Sequence, residues 1–290
     1  MKTMHGRKRS DVDRISDGVR DRDLTLNAAK YKYLVLYLNP QGARLDVSLL
    51  VDKVDLERVH TYRYWGIEID ERLTFASQTS KATRKAKQGT GALVRTLRKW
   101  APRNVFSTAI TTVILPAFFY AVEVWYPPSD KHRIQLERML KFAARLVTND
   151  FSRDSTYDDL LKAVNWRPIY RIVAERRLLN MKKYMDGHRY IPAYVFPMET
   201  ESDDRRSSRI KAQSTSHSFQ LKVFSQQRNL LEAKLAAAQS RELWNTLESY
   251  VPSLTLAAFR TEIAEDCVFD WLVKKKVLHA VIDVWNTIFC

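Results

Sequence analysis

The amino-acid sequence predicts an α+β fold in which a small antiparallel β meander precedes a mainly α-helical region. Up to Phe75, apolar residues occur in short β-branched or aromatic runs with a period of about two, which is typical of half-buried strands. After Phe75 the period changes to about 3.6, which is typical of helices with one buried face. A hydrophobic content of 45% over 290 residues is sufficient for a sizeable core.

Four short runs make up the predicted meander, and turn-type residues separate them. The turns are "NPQG" (39–42) and Asp52-Lys53. The runs are "YKYLVLYL" (31–38), "RLDVSLLV" (44–51), "VDLERVHTY" (54–62) and "YRYWGIEI" (62–69). The first 23 residues mix Arg and Asp with little to bury, so we expect them to be solvated.

The first predicted helix, from Lys81 to Lys99, has an apolar face and a basic face. The apolar positions are Ala82, Ala86, Leu93 and Leu97, and the basic positions are Lys81, Arg84, Lys85, Arg95, Arg98 and Lys99. A second helix is expected to begin at Pro102 to Asn104 and to continue to Tyr126, with a kink at Pro116. Five further helical segments follow, beginning "KHRIQLE", "STYDDLL", "RPIYRIV", "QQRNLLE" and "SLTLAAF".

The charge of the first helix has one sign only. No Asp or Glu occurs from Arg72 to Val122, whereas eight Lys or Arg lie between Phe75 and Arg103. A solvated helix usually places acids and bases four residues apart so that they pair. Like charges on one face repel, which favours a phosphate backbone as partner over a merely solvated face. The formal net charge of +15 and the pI near 9.8 also favour a polyanionic partner.

Other classes of protein are disfavoured by the sequence. No run reaches the roughly 18 apolar residues that a membrane span needs, and no apolar signal region occurs at the N-terminus, so we expect an intracellular protein without a membrane partner. No Gly-rich phosphate-binding loop is present. Cys267 and Cys290 lack neighbouring Cys or His, and the six histidines are scattered, so neither a metal site nor a disulfide is predicted.

Two acidic pairs are the candidates for a metal-binding site. "TYDD" (156–159) opens a predicted helix, where acidic residues cap free N–H groups and favour the macrodipole, so we interpret it as a helix start. "ESDD" (201–204) lies in a polar stretch and is interpreted as solvated. Two-metal phosphoryl transfer needs carboxylates held on a rigid scaffold, which neither pair provides.

The aromatic rings of the run "HTYRYWG" are consistent with two roles. Alternate rings could stack on the bases of a nucleic-acid strand. Alternatively, the rings could fill the core between the sheet and the helices, and aromatic alternation alone favours this second reading.

The stretch "YRYWGIEIDERLTF" (62–75) resembles the "KYLGxxLDxxLTF" segment that ends the palm of reverse transcriptases encoded by non-LTR retrotransposons, the jockey-like and related LINE elements. Upstream, "LNAAKYKYLVL" is similar to the family's "LNxxKTKxMxF" strand, and Asn27 and Lys30 match its Asn and Lys. Downstream, "VILPAFFYAVEVW" resembles the "xxLPxLxYGxExW" helix of the thumb. The segments "RRSSRI", "HSF" and "ELWNTLESYVPSLTLAAFRTEI" resemble the family's closing segment, so the resemblance covers roughly Leu24 to Ala264.

The resemblance implies a part of an RNA-directed DNA polymerase, which in its intact form uses Mg2+ and dNTPs. It implies that Tyr64, Trp65 and Gly66 belong to the primer grip and that the basic helix belongs to the thumb, both contacting the RNA/DNA template–primer duplex. The family's catalytic carboxylates would precede Leu24, where only the charged segment stands. We therefore expect no catalytic residue, no metal and no cofactor in this chain, and no polymerase activity from it alone.

The sequence predicts a division into segments. The resemblance suggests 24–75 (end of the palm), 76–190 (thumb-like helices) and 219–264 (C-terminal helical segment), and composition suggests 1–23 (charged N-terminus) and 191–218 (linker). Residues 265–290 match no part of the family and are either a terminal helix, whose apolar face would carry Trp271, Val277, Ile282 and Trp285, or read-through sequence.

Several residues depart from the family pattern, which suggests a diverged copy. They are Trp65 for Leu, Gln78 for His, Thr79 for Ile, Ala121 for Gly and Glu248 for Pro. Two alternatives stay open: a basic helical nucleic-acid-binding adaptor without polymerase ancestry, and a decayed reading frame without function. The adaptor would be favoured if residues 24–75 formed something other than a meander leading into the basic helix.

Overall fold

The computed structural model describes residues 14, 16–19, 21–22, 30–37, 49–51, 54–192, 195–196, 198, 219–221 and 236–275. Over these residues the fold contains small sheets and, predominantly, helices, which confirms the mixed α+β class. The chain divides into two compact units, Met1–Leu73 and Thr74–Cys290. Within the described part, no helix is both long enough and apolar enough to cross a membrane.

Over its described residues, the first unit contains six short strands in three pairs. They are β1 (Lys32–Tyr33), β2 (Leu50–Val51), β3 (Val54–Asp55), β4 (Glu57–Arg58), β5 (Thr61–Tyr64) and β6 (Ile67–Asp70). The pairs β2–β3 and β5–β6 are antiparallel, and β2 and β3 lie on either side of the predicted turn Asp52-Lys53. The pair β1–β4 is parallel, so the prediction of an entirely antiparallel meander is wrong there.

The parallel pair joins strands that are far apart in the sequence. Lys32 lies opposite Glu57, and its Nζ atom is 2.8 Å from Glu57 Oε2. The Val59 N–H also donates to the Tyr33 carbonyl at 3.0 Å. The connection between β1 and β4 exceeds the dozen or so residues that a parallel crossover needs. Residues 38–48, which include most of the second predicted run, lie outside the described residues.

The run predicted as one strand over residues 62–69 is instead a hairpin. β5 ends at Tyr64 and β6 begins at Ile67, and these two residues face each other in the register. The two residues between them, Trp65 and Gly66, both have positive φ (49° and 84°), as a two-residue type I′ turn requires. The alternation of apolar residues continues across such a turn, so the sequence pattern alone does not indicate that the strand ends there.

The second unit is helical, and its first helix begins at Ala76, directly after Phe75, as the change of period predicts. The helices are α1 (Ala76–Leu97), α2 (Arg103–Ala109), α3 (Leu115–Phe118), α4 (Val122–Trp125), α5 (Asp130–Thr148), α6 (Tyr157–Ala163), α7 (Ile169–Met185), α8 (Ala236–Thr246), α9 (Leu256–Glu262) and α10 (Asp266–Lys274). α1 packs mainly against α5 and also contacts α3. α7 packs against α4, α8 and α9.

The buried face of α1 is built from smaller side chains than expected. Its buried residues are Gln78, Thr79, Thr83, Ala86 and Thr90, whereas the predicted Ala82, Leu93 and Leu97 are only partly buried. Gly89 explains the difference, because a Cβ atom there would lie 2.6 Å from Ile114 Cδ1. The close approach of the next segment leaves room for small residues only.

The helix predicted from residue 104 to Tyr126 is broken in two places. A π-helical turn, Ile110–Ile114, follows α2, and its last bond runs from the Leu115 N–H to the Ile110 carbonyl. Pro116 comes next and cannot donate a backbone bond, so the expected distortion occurs here. The second break, at Ala121, was not predicted, and α4 begins only after it.

The C-terminal helices form one core with α7. Leu178, Met181, Trp244, Phe259 and Leu272 are all at most 3% exposed within this cluster. The segments 76–190, 219–264 and 265–290 therefore share a core over their described residues.

The apolar face predicted for the tail is wrong at Trp271. This residue is only partly buried, and its indole N–H donates to the Thr246 carbonyl at 2.9 Å. The buried residues of α10 are instead Val268, Phe269 and Leu272. The other predicted positions, Val277, Ile282 and Trp285, lie outside the described residues.

Candidate nucleic-acid interface

The tip of the β5–β6 hairpin is formed by exposed aromatic rings. Trp65 is 76% exposed, Tyr64 57% and Tyr62 39%. The rings of Tyr64 and Trp65 meet edge to face, with centroids 6.2 Å apart. Within the hairpin, the buried side chain is that of Ile67, on β6. The reading in which these rings fill a core is therefore wrong, because neither side of β5 is covered.

A small polar cluster holds the base of the hairpin, and the sequence analysis missed it. The Glu71 carboxylate accepts a hydrogen bond from the Tyr37 hydroxyl at 2.5 Å and lies 2.9 Å from His60 Nδ1. These two hydrogen bonds hold the pKa of Glu71 below its ordinary value. The Arg72 guanidinium lies 5.8 Å from the centre of the Tyr37 ring. Tyr37 is nearly buried, so the hairpin is anchored at its open end.

The basic residues of α1 occupy one exposed arc. Arg84, Lys85, Arg95, Arg98 and Lys99 are exposed, and Lys81 is partly exposed. The helix predicted over 81–99 spans Ala76–Leu97, so Lys81, Arg84, Lys85 and Arg95 lie on α1, whereas Arg98 and Lys99 follow its last residue. At about 100° per residue the four on α1 fall within an arc of about 160° opposite the buried threonines. Lys87, which the sequence analysis did not select, lies in the same arc and is exposed.

The first turns of this arc are open to a ligand. Within the described residues, Arg84, Lys85 and Lys87 make no ion pair or hydrogen bond. Their charges are therefore balanced by solvent and counterions in the isolated chain. A phosphate backbone could replace those counterions.

Arg98, which was expected to contact phosphate, instead makes contacts within the protein. Arg98 donates to the Asn149 side-chain oxygen, and its guanidinium lies 5.9 Å from the centre of the Phe151 ring. Arg103 Nε donates to the Val147 carbonyl at 2.6 Å. Arg98 thus ties the end of α1, and Arg103 the start of α2, to the end of α5, and Arg98 is less available to phosphate than its charge suggested.

Of the two residues predicted on the palm strand, the structure describes one. Lys30 is exposed and lies just before β1. Asn27 lies outside the described residues.

The first acidic pair lies in the first turn of a helix, as predicted, but a threonine and not the pair is the cap. Thr156 is the N-cap of α6, and its hydroxyl oxygen accepts the Asp159 N–H at 3.2 Å. The Thr156 hydroxyl in turn donates to the Asp159 carboxylate at 2.5 Å. The second pair, 201–204, lies outside the described residues. Within the described part of the chain, no group of three or more His, Cys, Asp or Glu is placed to hold a metal ion.

A buried carboxylate on α5, Glu137, was also missed by the sequence analysis. It is 1% exposed and accepts hydrogen bonds from the Tyr157 hydroxyl and from the backbone N–H groups of Ile169 (3.1 Å) and Tyr170 (3.3 Å). Burial raises its pKa to about 7, although these hydrogen bonds oppose the rise. Its place at the first turn of α7 makes it a cap, because it satisfies N–H groups that lack helical partners.

Two exposed features thus remain for a polyanionic ligand: the aromatic hairpin tip in one unit and the basic arc of α1 in the other. The first offers rings for stacking, and the second offers cations for phosphates. Comparison of the chain with protein-family models, curated proteins and solved structures finds no match.

Proposed function

We propose that this chain binds an RNA/DNA template–primer duplex, as the primer- and template-binding part of a non-LTR retrotransposon reverse transcriptase. The observation that carries the proposal is the basic arc of α1, where Arg84, Lys85 and Lys87 are exposed and make no ion pair with the described residues. Phosphates neutralise such charges and release counterions, which drives association.

The hairpin tip adds a role for stacking in the proposed complex. Its exposed rings, Tyr64 and Trp65, would contact the terminal bases of the primer, and Gly66 permits the turn that presents them. Base stacking is tolerant of sequence because every base has a flat face. This matches a polymerase, which must hold any primer end.

The proposal concerns binding and assigns no step of phosphoryl transfer to this chain. In the intact family enzyme, Mg2+ held by palm carboxylates supports that step. The acidic pair at Asp158 and Asp159 lies in the first turn of α6, and the proposal gives it no part in that step.

The adaptor alternative is favoured by one observation. The parallel β1–β4 pair departs from the simple meander that was expected to lead into the basic helix. Reading the genomic DNA upstream would separate the two, since an in-frame "YADD" codon run supports the polymerase and an unrelated domain supports the adaptor.

The salt dependence of duplex binding tests the proposed function. The Kd of a blunt RNA/DNA hybrid is measured from 50 to 300 mM salt by fluorescence anisotropy, for the wild type and for Arg84→Ala with Lys85→Ala. Each phosphate contact contributes about 0.9 to the slope of log K against log salt on B-form duplex. We expect the double variant to bind more weakly, with a slope smaller by about two, and to fold normally.

The matched control removes two exposed lysines from other helices, Lys162→Ala with Lys274→Ala. It changes the net charge by the same amount but leaves α1 intact. Equal slopes for the wild type and the α1 variant would refute the phosphate role of the arc. Equal losses in both double variants would show a general effect of net charge.

A further inference from the structure

A second basic and aromatic surface lies where the end of α1 meets the loop after α5. We call it the Trp100 patch; its members are Arg98, Lys99, Trp100, Phe151 and Arg153. Trp100 is 79% exposed and Phe151 is 53% exposed, which is unusual for such large rings. The patch is distant in sequence from the hairpin tip and is assembled only by the tertiary fold.

Each ring in the patch is paired with a cation. The Lys99 ammonium lies 4.9 Å from the centre of the Trp100 ring, and the Arg98 guanidinium lies 5.9 Å from the centre of the Phe151 ring. Both rings nevertheless keep more than half of their surface in solvent. Cation–π contacts of this kind hold a ring in place and leave its remaining surface available.

The loop that carries Phe151 is held by a set of hydrogen bonds. Arg98 binds the side chain of Asn149, which ends α5 in a left-handed conformation with φ 57°. Arg145 donates to the Ser152 carbonyl at 3.2 Å, and the Asp150 carboxylate accepts the Ser152 N–H at 2.9 Å. The Phe151 ring is therefore presented on an ordered turn, which lowers the entropic cost of binding.

The charge of the patch favours an anionic ligand. Lys99 and Arg153 are exposed and add to Arg98. The loop also carries two acids, Asp150 and Asp154, and hydrogen bonds from Ser155 and Ser152 hold the pKa of Asp150 below its ordinary value, so this carboxylate keeps its negative charge. Asp154 is the remaining exposed acid of the loop. The cations therefore outnumber the acids around the two rings.

We propose that the Trp100 patch binds an unpaired nucleic-acid strand, with bases stacked on Trp100 and Phe151 and phosphates held by Lys99 and Arg153. A duplex hides its base faces within its own stack, so exposed rings suit unpaired bases. The inference rests on the proposed function and extends it, because it adds a site for the single-stranded template beside the duplex-binding arc of α1.

Binding of two labelled probes to the full chain tests the patch: a 12-nucleotide oligouridine and the blunt hybrid duplex. The variants are Trp100→Ala and Phe151→Leu, and the matched control is Tyr190→Ala, which removes a ring that is 93% exposed elsewhere. We expect each patch variant to weaken oligouridine binding about tenfold, as removal of one stacking ring does. Duplex binding should change less than twofold, and the control should change neither. Trp100→Phe should retain most of the affinity.

The outcomes separate the two proposals. If the patch variants bind oligouridine as tightly as the wild type, the patch does not bind single strands. Its exposed rings would then be explained by contact with a protein partner. If oligouridine binding depends on Trp100 but duplex binding has no dependence on the α1 arc, the proposed function fails and the patch stands. Equal loss on both probes would also overturn the patch as a single-strand site.

Discussion

At the scale of single residues, Ala121 shows a conflict between side chain and backbone. It lies between α3 and α4 with φ 49° and ψ 28°, a left-handed conformation that costs a residue with a Cβ atom about 1–2 kcal/mol. Two hydrogen bonds nevertheless stabilise the backbone at this break between the helices. Arg176 donates to the Phe119 carbonyl at 2.7 Å, and the Trp125 indole donates to the Tyr120 carbonyl at 2.8 Å.

We expect Ala121→Gly to stabilise the protein by about 0.5–1 kcal/mol, because relief of the left-handed strain exceeds the entropy that glycine adds to the unfolded chain. Urea unfolding should show a higher midpoint with an unchanged slope. The control is Ala92→Gly, at an exposed position within α1, which should cost about 0.5–1 kcal/mol. A loss of stability in both variants would contradict the role of strain at Ala121.

Glu137 is a second residue whose environment has a measurable consequence. Burial raises its folded pKa to about 7 from the ordinary value of 4.5. Because the folded pKa is the higher one, the stability that neutral Glu137 contributes is fully present below about pH 4.5 and is lost as the pH rises through about 7.

We therefore expect the free energy of unfolding of the wild type to fall by roughly 2–3 kcal/mol between pH 5 and pH 8, relative to Glu137→Gln. Glutamine keeps an acceptor for the N–H groups of Ile169 and Tyr170 but has no charge to bury. Urea unfolding of both proteins at several pH values measures the difference, in which other titrating groups cancel. Parallel profiles would show that Glu137 does not titrate in this range.

At the scale of elements, the β5–β6 hairpin combines an unfavourable turn residue with exposed rings. Trp65 has φ 49°, in a turn type for which Asn followed by Gly is strongly preferred. A bulky, mostly exposed residue in that position gains little from burial. Its presence at the tip is explained if the ring is used in binding.

Trp65→Asn should therefore separate stability from binding. We expect the variant to be as stable as the wild type or more so, and to bind a duplex with a recessed primer end more weakly than the wild type does. Thermal unfolding and anisotropy measure the two effects. Gly66→Ala serves as the contrast, because φ 84° is strained for alanine and should destabilise the hairpin. Unchanged affinity in Trp65→Asn would remove the ring from the interface.

At the scale of the whole molecule, the helical unit depends on contacts between distant segments. Arg171 of α7 lies 4.5 Å from the centre of the Phe269 ring, donates to the Ala264 carbonyl at 2.5 Å and pairs with Asp266. Arg177 of the same helix is buried, donates to the Glu123 carbonyl at 2.8 Å and binds the side-chain oxygen of Gln239. Burial lowers the pKa of Arg177 to about 10. These bonds join α4, α8 and α10 to α7.

Truncation tests the contribution of α10. A chain ending at Glu265 loses the buried side chains Val268, Phe269 and Leu272, whereas a chain ending at Lys275 keeps every described contact of the helix. Removal of one buried Phe typically costs about 3–5 kcal/mol. We expect the shorter chain to melt at a much lower temperature or to be unfolded, and the longer one to keep α10 in the core. Equal melting temperatures would show that α10 adds nothing to the core.

Features that depend on neighbours in the sequence were predictable. The change from strands to helix after Phe75, the basic face of α1 and the helix start at residues 156–159 each arise from residues within one or two turns of each other. The pattern of side chains along the chain is sufficient for these, because helix periodicity and capping are local effects.

Other features were decided by contacts between residues far apart in the sequence. The parallel β1–β4 pair, the exposure of Tyr64 and Trp65, the use of Arg98 to hold Phe151 and the burial of α10 are not encoded in any short window. Aromatic alternation is the same for a buried strand and for an exposed hairpin, and an arginine carries the same charge whether it faces a phosphate or Asn149. The sequence by itself determined the helical region and its basic face, because both are local. Only the tertiary structure decided which rings and cations are open to a ligand, because exposure depends on what else packs nearby.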